Sequence, residues 1–346
     1  MSKDWLPAAL NGGHRYRDRV QAAAASVVGY YAERYAHSDP SVWRERLAAG
    51  EIWCNGQQLR ADGALSAGDQ LIWHRPPWEE AAVPVLSQSA VVFDDGDLLV
   101  LNKPSGLPVL PAGGFLEHTL LSQLRAWVPE ARPVHRLGRF TSGLLVCARR
   151  PASRAWLSAQ LRESTAAAHS VNNQEDASAE GHPDRGCRKR YRALTEPLPP
   201  DWLLAESREV TVAIGRHPHS LLGEIWCAAD ASGATALPSR SCFTLLERRP
   251  EGCLVEVAIA TGRPHQIRIH AAAIGAPLAG DPLYRPGGGA NPQVLPGAAG
   301  YRLHAHRFVL QPPACEPLHL EAPPPPCLCI SPSRPQIVGG PRFTDV

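Results

Sequence analysis

Five stretches of the sequence contain the residues that stand out as able to do chemistry. In chain order they are LLVLNKPSGLPV (98–109), HRLGRFTSGLLVCAR (135–149), KRYRA (189–193), TGRPHQIRIHAAAIGAPLAGDPLY (261–284) and RLHAH (302–306). Several motifs in a fixed order are much more specific than any one short motif. We therefore expect these stretches to come together around one pocket.

Two histidine pairs in these stretches, His265 with His270 and His304 with His306, raise the question of a metal site. No carboxylate follows them at the spacing of metal ligands, and the nine cysteines form no paired CxxC clusters. Structural histidines are commoner than ligands, so we predict no metal. A metal hydrolase built on these histidines is the weakest functional alternative.

Arginine supplies almost all of the positive charge, and a guanidinium both forks onto phosphates and stacks on bases. One basic cluster comprises Arg188, Lys189, Arg190 and Arg192, with Arg149, Arg150 and Arg154 near it in sequence. Such a cluster is either a solvated face or a track for phosphates. Beside an uncharged substrate pocket the phosphate track is the better interpretation.

Together the five stretches resemble the RluA-type RNA pseudouridine synthases, over roughly residues 90–312. The resemblance implies a bent mixed sheet with an RNA-binding cleft between two halves. It also implies that uridine in ribosomal or transfer RNA is isomerised to pseudouridine without a cofactor. In that reaction the glycosidic bond breaks, the uracil turns over, and a new bond forms through its C5 atom.

The resemblance also assigns roles to individual residues. The family's tyrosine, which lies against the base, is Tyr191, and the arginine that pairs with the catalytic aspartate is Arg268. The aspartate position itself is Gly138, which offers neither a nucleophile nor a base. Two functions follow: a synthase in which another group replaces the carboxylate, and an inactive RNA-binding pseudoenzyme. The candidates for the replacement carboxylate are Asp281, Asp94, Asp95 and Asp97.

Two further expectations concern RNA contacts and the glycine. RNA is predicted to lie against basic side chains around the motifs, namely Arg136, Arg139, Arg149, Arg188, Lys189 and Arg190. Gly138 is predicted either to accept an aspartate that would meet Arg268, or to occupy a positive-φ turn that only glycine tolerates easily.

Separated strand-like runs with few helices predict an α+β fold with a mixed, largely antiparallel bent sheet. We predict a helical segment at 1–40, with one helix over 20–37. Residues 41–80, with a short helix and Asn-Gly and Gly-Asp turns, resemble the small alpha-L RNA-binding module. The catalytic domain follows at 90–320, with a flexible insertion at 166–187, and 321–346 is an irregular proline-rich tail.

Bulk composition adds little about partners. The 346 residues exceed one usual domain, and a net charge of +2 does not identify a nucleic-acid protein without a local cluster. No apolar run approaches the roughly eighteen residues of a membrane span, and no secretory signal is apparent. We expect a cytoplasmic protein that binds RNA and has no obligate protein partner.

Overall fold

The structure is a computed structural model that describes residues 7–35, 37–170, 189–229, 236–259, 261–298, 300–313 and 315–331. Within these residues the helices are α1 (Val27–Arg34), α2 (Pro40–Ala48), α3 (Leu120–Trp127), α4 (Pro151–Ser170) and α5 (Gln266–Ala273). The strands are β1 (His14–Arg19), β2 (Ile52–Cys54), β3 (Gln57–Gln58), β4 (Gln70–Arg75), β5 (Val91–Asp94), β6 (Leu98–Lys103), β7 (Arg132–Pro133), β8 (Thr141–Ala148), β9 (Lys189–Thr195), β10 (Ser207–Val210), β11 (Ala213–His219), β12 (Gly223–Ala229), β13 (Ser241–Arg249), β14 (Gly252–Ile259), β15 (Leu303–Leu310) and β16 (Leu318–Glu321). None of the helices in the described ranges is long and apolar enough to cross a membrane.

Residues 14–75 form a compact unit, which we call the amino-terminal module. Its sheet has the order β1-β4-β2-β3, and every pairing is antiparallel. Helices α1 and α2 contribute Tyr31 and Trp43 to its core, where the two buried rings stack 4.6 Å apart. The hydroxyl of Ser26 and the carboxylate of Asp39 cap the two helices, which is why each helix begins where it does.

The first forty residues differ from the predicted helical segment. Residues 14–19 form β1, which pairs with β4, and the helix covers only Val27–Arg34. The alanines before it stay outside the helix because Ala24 forms a β-bridge with Leu65 and Ser26 caps the first turn. The described part of 1–40 therefore shares one core with 41–75, so these segments form one unit instead of two.

The larger sheet has the order β10-β13-β14-β9-β15-β8-β6-β5, with β16 paired to β15 and β7 to β8. Among the described strands of this sheet, only β8 and β15 run parallel. Its central strands are buried along most of their length, and they form the main hydrophobic core. This confirms the predicted α+β fold with a mixed, largely antiparallel sheet.

Two stretches of the large domain depart from the sequence prediction. Helix α4 continues to Ser170, so the first residues of the predicted insertion at 166–187 are helical, and its remainder lies outside the described residues. The predicted irregular tail packs on the body through the buried side chain of Leu328, up to the last described residue, 331.

A buried carboxylate fixes the segment between the two sheets. Glu80 accepts hydrogen bonds from the backbone N–H groups of Leu116, Glu117 and His118, and from the side-chain amide of Asn11. Burial acts to raise the pKa of Glu80, but these donors outweigh burial and hold the pKa below its usual range. The contact ties the segments that flank the amino-terminal module to the loop before α3.

Candidate active site

The turn that carries Gly138 is held by the NKPSG turn after β6. Lys103 is completely buried, and its ammonium donates to the carbonyl oxygens of Pro104, Leu107 and Arg139. Burial, and then the charge of Arg139, lower the pKa of Lys103 to about 7. The three carbonyls oppose burial because they favour the charged form. Lys103 is therefore structural, and it sets the position of the turn before β8.

Arg268 of α5 forms a buried ion pair with Asp281. Its Nε and Nη2 atoms donate to the two carboxylate oxygens at 2.7 Å each, and the side chains are 4% and 0% exposed. Asp281 also accepts from the backbone N–H groups of Leu283 and Tyr284. Burial acts to lower the pKa of Arg268, but the hydrogen bonds to Asp281 outweigh it and raise the pKa. Asp281 thus reaches Arg268, but its oxygens are occupied as the structural partner of that arginine.

The other carboxylates suggested by the sequence lie at the far end of β8, roughly 25 Å along the strand from its first residue. Asp94 forms a bidentate pair with Arg149 at 2.7 and 2.8 Å, and Asp97 accepts from the Arg150 N–H. Asp95 accepts from backbone N–H groups of its own turn. None of the three faces Gly138. Because Asp94 already neutralises Arg149, the predicted RNA contact at Arg149 is not supported.

Tyr301 occupies the space beside Gly138. A Cβ built on Gly138 would lie less than 3.0 Å from the Tyr301 hydroxyl and 3.6 Å from its Cζ. The hydroxyl is 3.3 Å from Oγ1 of Thr141, and the Arg268 guanidinium lies 4.1 Å from the ring centroid. The φ of Gly138 is not in the left-handed region, so the positive-φ expectation is wrong. Glycine is favoured here because any larger side chain would run into the Tyr301 hydroxyl, and not because of the backbone conformation.

The hydroxyl of Tyr301 enters the space that a side chain of residue 138 would occupy. The tyrosine ring is held between the Arg268 guanidinium and the edge of Phe140, whose ring centroid is 6.2 Å away. An oxygen supplied from another part of the fold therefore lies beside Gly138.

Tyr191 faces the same side of the sheet as the Gly138 turn. In the strand register Tyr191 of β9 lies opposite Ala305 of β15, which lies opposite Gly143 of β8. Thr141 is two residues before Gly143, so its side chain points to the same face as Tyr191. The residues between Tyr191 and Thr141 therefore have small side chains or none. The structure brings Tyr191 and the Gly138 turn over one floor of the sheet.

Successive side chains of β9 point to opposite faces of the sheet, so the predicted phosphate track is split between the two faces. Lys189 shares the face of Tyr191, and its Nζ would lie 3.8 Å from a Cβ built on Gly262, in the loop before α5. Arg190 points to the opposite face, where it pairs with Glu256 at 3.0 Å. An RNA contact of Arg190 beside Tyr191 is therefore not supported. Arg192, on the same face as Arg190, also pairs with Glu256, at 3.4 Å. Arg188 lies outside the described residues.

The two arginines around Gly138 have different surroundings. Arg136 is exposed, and its charge adds to the effects of burial and Arg268 that lower the pKa of His265 to about 3. Arg139 is half-buried, and its Nε donates to the carbonyl of Gly106. Arg136 is thus placed to meet a ligand at the mouth of the site, whereas Arg139 helps to hold the turn.

The histidines of the motifs have structural partners. The Tyr284 hydroxyl donates to the Trp226 carbonyl at 2.8 Å, so at 2.7 Å it accepts from Nδ1–H of neutral His265. His270 contacts the Val212 carbonyl, and His304 and His306 both contact the Ala322 carbonyl. Within the described part of the chain, no group of three or more His, Cys, Asp or Glu side chains is arranged to hold a metal ion.

Comparison with known proteins decides the family. Residues 97–273 match the model of the RNA pseudouridylate synthase family. The chain is also 40% identical over 286 residues to an uncharacterised RNA pseudouridine synthase of Synechocystis, with 82% of this chain and 88% of the relative covered. The chain belongs to the RNA pseudouridine synthase family. This synthase is therefore assigned to the isomerases that modify RNA.

Two other relatives agree with this assignment. The synthase is 34% identical over 347 residues to RNA pseudouridine synthase 5 of Arabidopsis thaliana, covering 87% of this chain and 89% of the relative. It is 30% identical to ribosomal large subunit pseudouridine synthase D of Neisseria meningitidis, with 92% and 77% covered. The solved structure of human RNA pseudouridylate synthase domain containing 1 has a TM-score of 0.48 and 24% identity, covering 73% of this chain and 89% of that chain.

Sequence reasoning missed Tyr301 as a member of the site. Tyr301 comes directly before the RLHAH stretch, and this position next to a motif was the one signal that could have identified it. Nothing in the sequence spacing indicates that Tyr301 lies beside Gly138. The link is the parallel pairing of β8 with β15, which brings the starts of both strands together.

Proposed function

We propose that this synthase isomerises uridine to pseudouridine in ribosomal RNA, without a cofactor, on the sheet face between Tyr191 and the Gly138 turn. Family membership carries the proposal, and the arrangement of the site supports it. Ribosomal RNA is favoured over transfer RNA because relatives named ribosomal large subunit synthases D and C are 30% and 32% identical to this chain. A cytoplasmic location agrees with such a substrate.

The reaction requires few protein groups because it is an isomerisation. The bond between uracil N1 and ribose C1′ breaks, a bond between C5 and C1′ forms, one proton leaves C5, and one proton is gained at N1. No electrons enter or leave, so no redox cofactor is needed. Positive charge develops on the ribose as the first bond breaks. An oxygen facing C1′ and a group that receives the C5 proton are the main requirements.

The Tyr301 hydroxyl is the oxygen that we assign to C1′. It fills the space that a side chain of residue 138 would occupy, next to a glycine that leaves room for it. A tyrosine performs the corresponding role at a sugar carbon in sialidases, so the chemistry has a physical precedent. The pseudoenzyme alternative rested on the missing side chain of Gly138. With the Tyr301 oxygen assigned beside the developing positive charge, that argument no longer favours an inactive protein.

Arg268 and Asp281 support this tyrosine. A carboxylate at residue 138 would need an unpaired arginine, but the charge of Arg268 is already balanced by Asp281. We therefore assign Arg268 to positioning: its guanidinium packs against the ring of Tyr301 at 4.1 Å and fixes the direction of the hydroxyl. Asp281 in turn fixes the guanidinium.

Tyr191 is the group that we assign to the uracil ring. It is buried on the same face as Thr141, and the small residues Ala305 and Gly143 lie between them. A uridine that leaves its stack can place its base over Ala305 and Gly143. The base can turn there because neither residue has a large side chain. The phenol of Tyr191 then lies against the base and can relay the C5 proton: its oxygen receives that proton while its own hydroxyl proton passes to water.

Pseudouridine mapping tests the proposed function. Unmodified ribosomal and transfer RNA are incubated separately with the purified protein, and pseudouridines are located in both. The expected result is protein-dependent conversion of one or a few uridines in ribosomal RNA. Conversion in transfer RNA alone would contradict the substrate assignment, and no conversion in any cellular RNA would contradict the activity.

A further inference from the structure

His265 lies at the start of α5, and its backbone is held in an uncommon conformation. Its φ is 54° and its ψ is 18°, which is the left-handed region that few residues other than glycine adopt. It is also the N-cap of the helix, where a serine, threonine, aspartate or asparagine side chain usually bonds to the first turn. The imidazole makes no such bond. Strained residues of this kind cluster at functional sites, and capping does not explain the histidine here.

The ring of His265 is fixed as a single tautomer. Nδ1–H donates to the Tyr284 hydroxyl at 2.7 Å, because the one proton of that hydroxyl is already donated to the Trp226 carbonyl at 2.8 Å. Burial, and then the charge of Arg268, lower the pKa of His265 to about 3, so the ring is neutral under ordinary conditions. Nε2 therefore carries a lone pair and acts only as a hydrogen-bond acceptor.

Nε2 of His265 is open to a ligand. Within the described ranges no donor bonds to it, and it is not one of the fully enclosed polar atoms. The ring lies near two arginines of the site, Arg268 in its interior and Arg136 at its mouth, since both charges act on its pKa. Asp281 balances the charge of Arg268, whereas Arg136 forms no ion pair among the residues that the structure describes. A reachable acceptor thus lies beside an available positive charge at the edge of the site.

Uracil has an edge that fits this pair of groups. Its N3–H is a donor that lies between two carbonyl groups, so it can donate to Nε2 of His265 while one carbonyl oxygen lies towards Arg136. Cytosine would set the lone pair of its own N3 against that of Nε2, and neither atom would be satisfied. His265 can thus distinguish the two pyrimidines by one hydrogen bond.

The reaction itself favours a contact at N3 of the base. To replace N1 by C5 at the ribose, the uracil ring makes half a revolution about the line through N3 and C6. This turn exchanges N1 with C5 and one carbonyl with the other, whereas N3–H keeps both its place and its direction. A single acceptor on that line can therefore hold the base before, during and after the turn. No proton moves at N3, because uridine and pseudouridine both keep it protonated.

We propose that His265 is a specificity-determining residue whose Nε2 accepts a hydrogen bond from N3–H of the target uracil, excludes cytosine, and serves as the pivot of the turning base. The proposal rests on the proposed function for the position of the uridine, whose C1′ lies at Tyr301 and whose base lies against Tyr191. Those two tyrosines serve C1′ and C5. His265 serves N3, the polar ring atom that stays in place.

Two substitutions of His265 separate the two nitrogens of its ring. His265→Asn puts an amide at the place of Nδ1 and removes the acceptor at Nε2. His265→Gln puts an amide at the place of Nε2, and this amide can turn to present either its oxygen or its nitrogen. Asparagine is tolerated in the left-handed region and favoured as an N-cap, so His265→Asn should unfold at the wild-type temperature or above it. His319→Asn, at an exposed position of β16, is the matched control.

Base preference in binding provides the test. Fluorescence anisotropy on the full-length protein gives the dissociation constants of labelled oligouridine and oligocytidine of about twelve nucleotides. Phosphate contacts are the same for both probes, so the ratio of the two constants reports the base. We expect the wild type and His319→Asn to bind oligouridine about tenfold more tightly. His265→Asn should abolish this preference by weakening oligouridine, and His265→Gln should abolish it by strengthening oligocytidine.

A wild type that binds both probes equally, or a preference that survives in both His265 variants, would overturn the proposal. The His265→Gln result stands by itself, since unchanged oligocytidine affinity in that variant overturns the proposal even if His265→Asn is unstable. Labelled oligodeoxyuridine identifies the donor, because it keeps N3–H and lacks the 2′-hydroxyl. Equal weakening of oligouridine and oligodeoxyuridine by His265→Asn supports N3–H as the donor. Weakening of oligouridine alone would mean that Nε2 binds the 2′-hydroxyl, and the proposal would be wrong.

Pseudouridine formation in unmodified ribosomal RNA is measured on the same preparations. If the wild type converts uridine, His265→Asn should lower kcat about tenfold because the turning base loses its pivot, and His319→Asn should not. An unchanged kcat in His265→Asn would contradict the pivot. Conversion by the wild type, together with an unchanged probe preference in the variants, contradicts only the His265 contact. The expected probe preferences without any conversion support that contact and contradict the proposed activity.

Discussion

The contact between Gly138 and Tyr301 makes a quantitative prediction. In Gly138→Ala the new Cβ would lie less than 3.0 Å from the Tyr301 hydroxyl, which must move by about 1 Å. Overpacking of this kind costs about 1–3 kcal/mol in the free energy of unfolding. The ring cannot simply swing away, because the Arg268 guanidinium packs against it. In a Tyr301→Phe background the nearest ring carbon is 3.6 Å away, and the closest remaining atom is Oγ1 of Thr141 at 3.3 Å, so most of the cost should disappear.

A double-mutant cycle measured by urea unfolding checks this reasoning. We expect an interaction energy of about 1–2 kcal/mol between the two substitutions, because residues in direct contact are not additive. Gly297→Ala is the matched control: a Cβ there meets nothing within 4 Å, and φ is not positive, so this change should be neutral or slightly stabilising in both backgrounds. Additive effects of Gly138→Ala and Tyr301→Phe would refute the placement of the hydroxyl beside Gly138.

Three further predictions concern the site and its supports. Tyr191→Phe keeps the ring and removes the hydroxyl, so RNA affinity measured by anisotropy should persist while turnover falls about 100-fold or more; equal loss of both would indicate a structural tyrosine. Asp281→Asn leaves the buried Arg268 without its counter-charge and should cost about 3–5 kcal/mol in urea unfolding; lost turnover with unchanged stability would instead make Asp281 a relocated catalytic carboxylate. Glu80→Gln should cost about 1–3 kcal/mol at pH 7. Because the folded pKa of Glu80 lies below its unfolded value near 4.5, this difference should be full above pH 4.5 and shrink as the pH falls through the folded pKa; a difference independent of pH would contradict the carboxylate anchor.

Local patterns predicted the large sheet well because its strands are apolar and bounded by turns. The runs that became β6, β13, β14 and β15 could be read directly, since each is long enough to be buried and each has a glycine, a proline or a charged residue within three positions of either end. The mixed, antiparallel character followed from these runs. The predicted helix over 20–37 was too long because alanine-rich sequence favours helix locally, whereas the bridge from Ala24 to Leu65 is a tertiary contact that no local pattern shows.

The candidate site was predictable only in part. The motifs supplied Tyr191, Arg268 and the empty position at Gly138, and the structure brings Arg268 together with the Gly138 turn through Tyr301. Thr141 and Tyr301, which meet beside Gly138, are 160 residues apart, so their contact depends on strand order and not on spacing. The sequence also could not show that Asp94 neutralises Arg149. Asp94 ends β5 and Arg149 follows β8, and the two residues meet because both strands pair with β6.

The measurement that tests the central claim most directly is the rate of pseudouridine formation in unmodified ribosomal RNA by two proteins, the wild type and Tyr301→Phe. We predict that the wild type converts uridine, and that Tyr301→Phe binds RNA with similar affinity but loses about 100-fold or more in kcat. A Tyr301→Phe protein that converts uridine at the wild-type rate would contradict the assignment of its hydroxyl to the missing carboxylate's place.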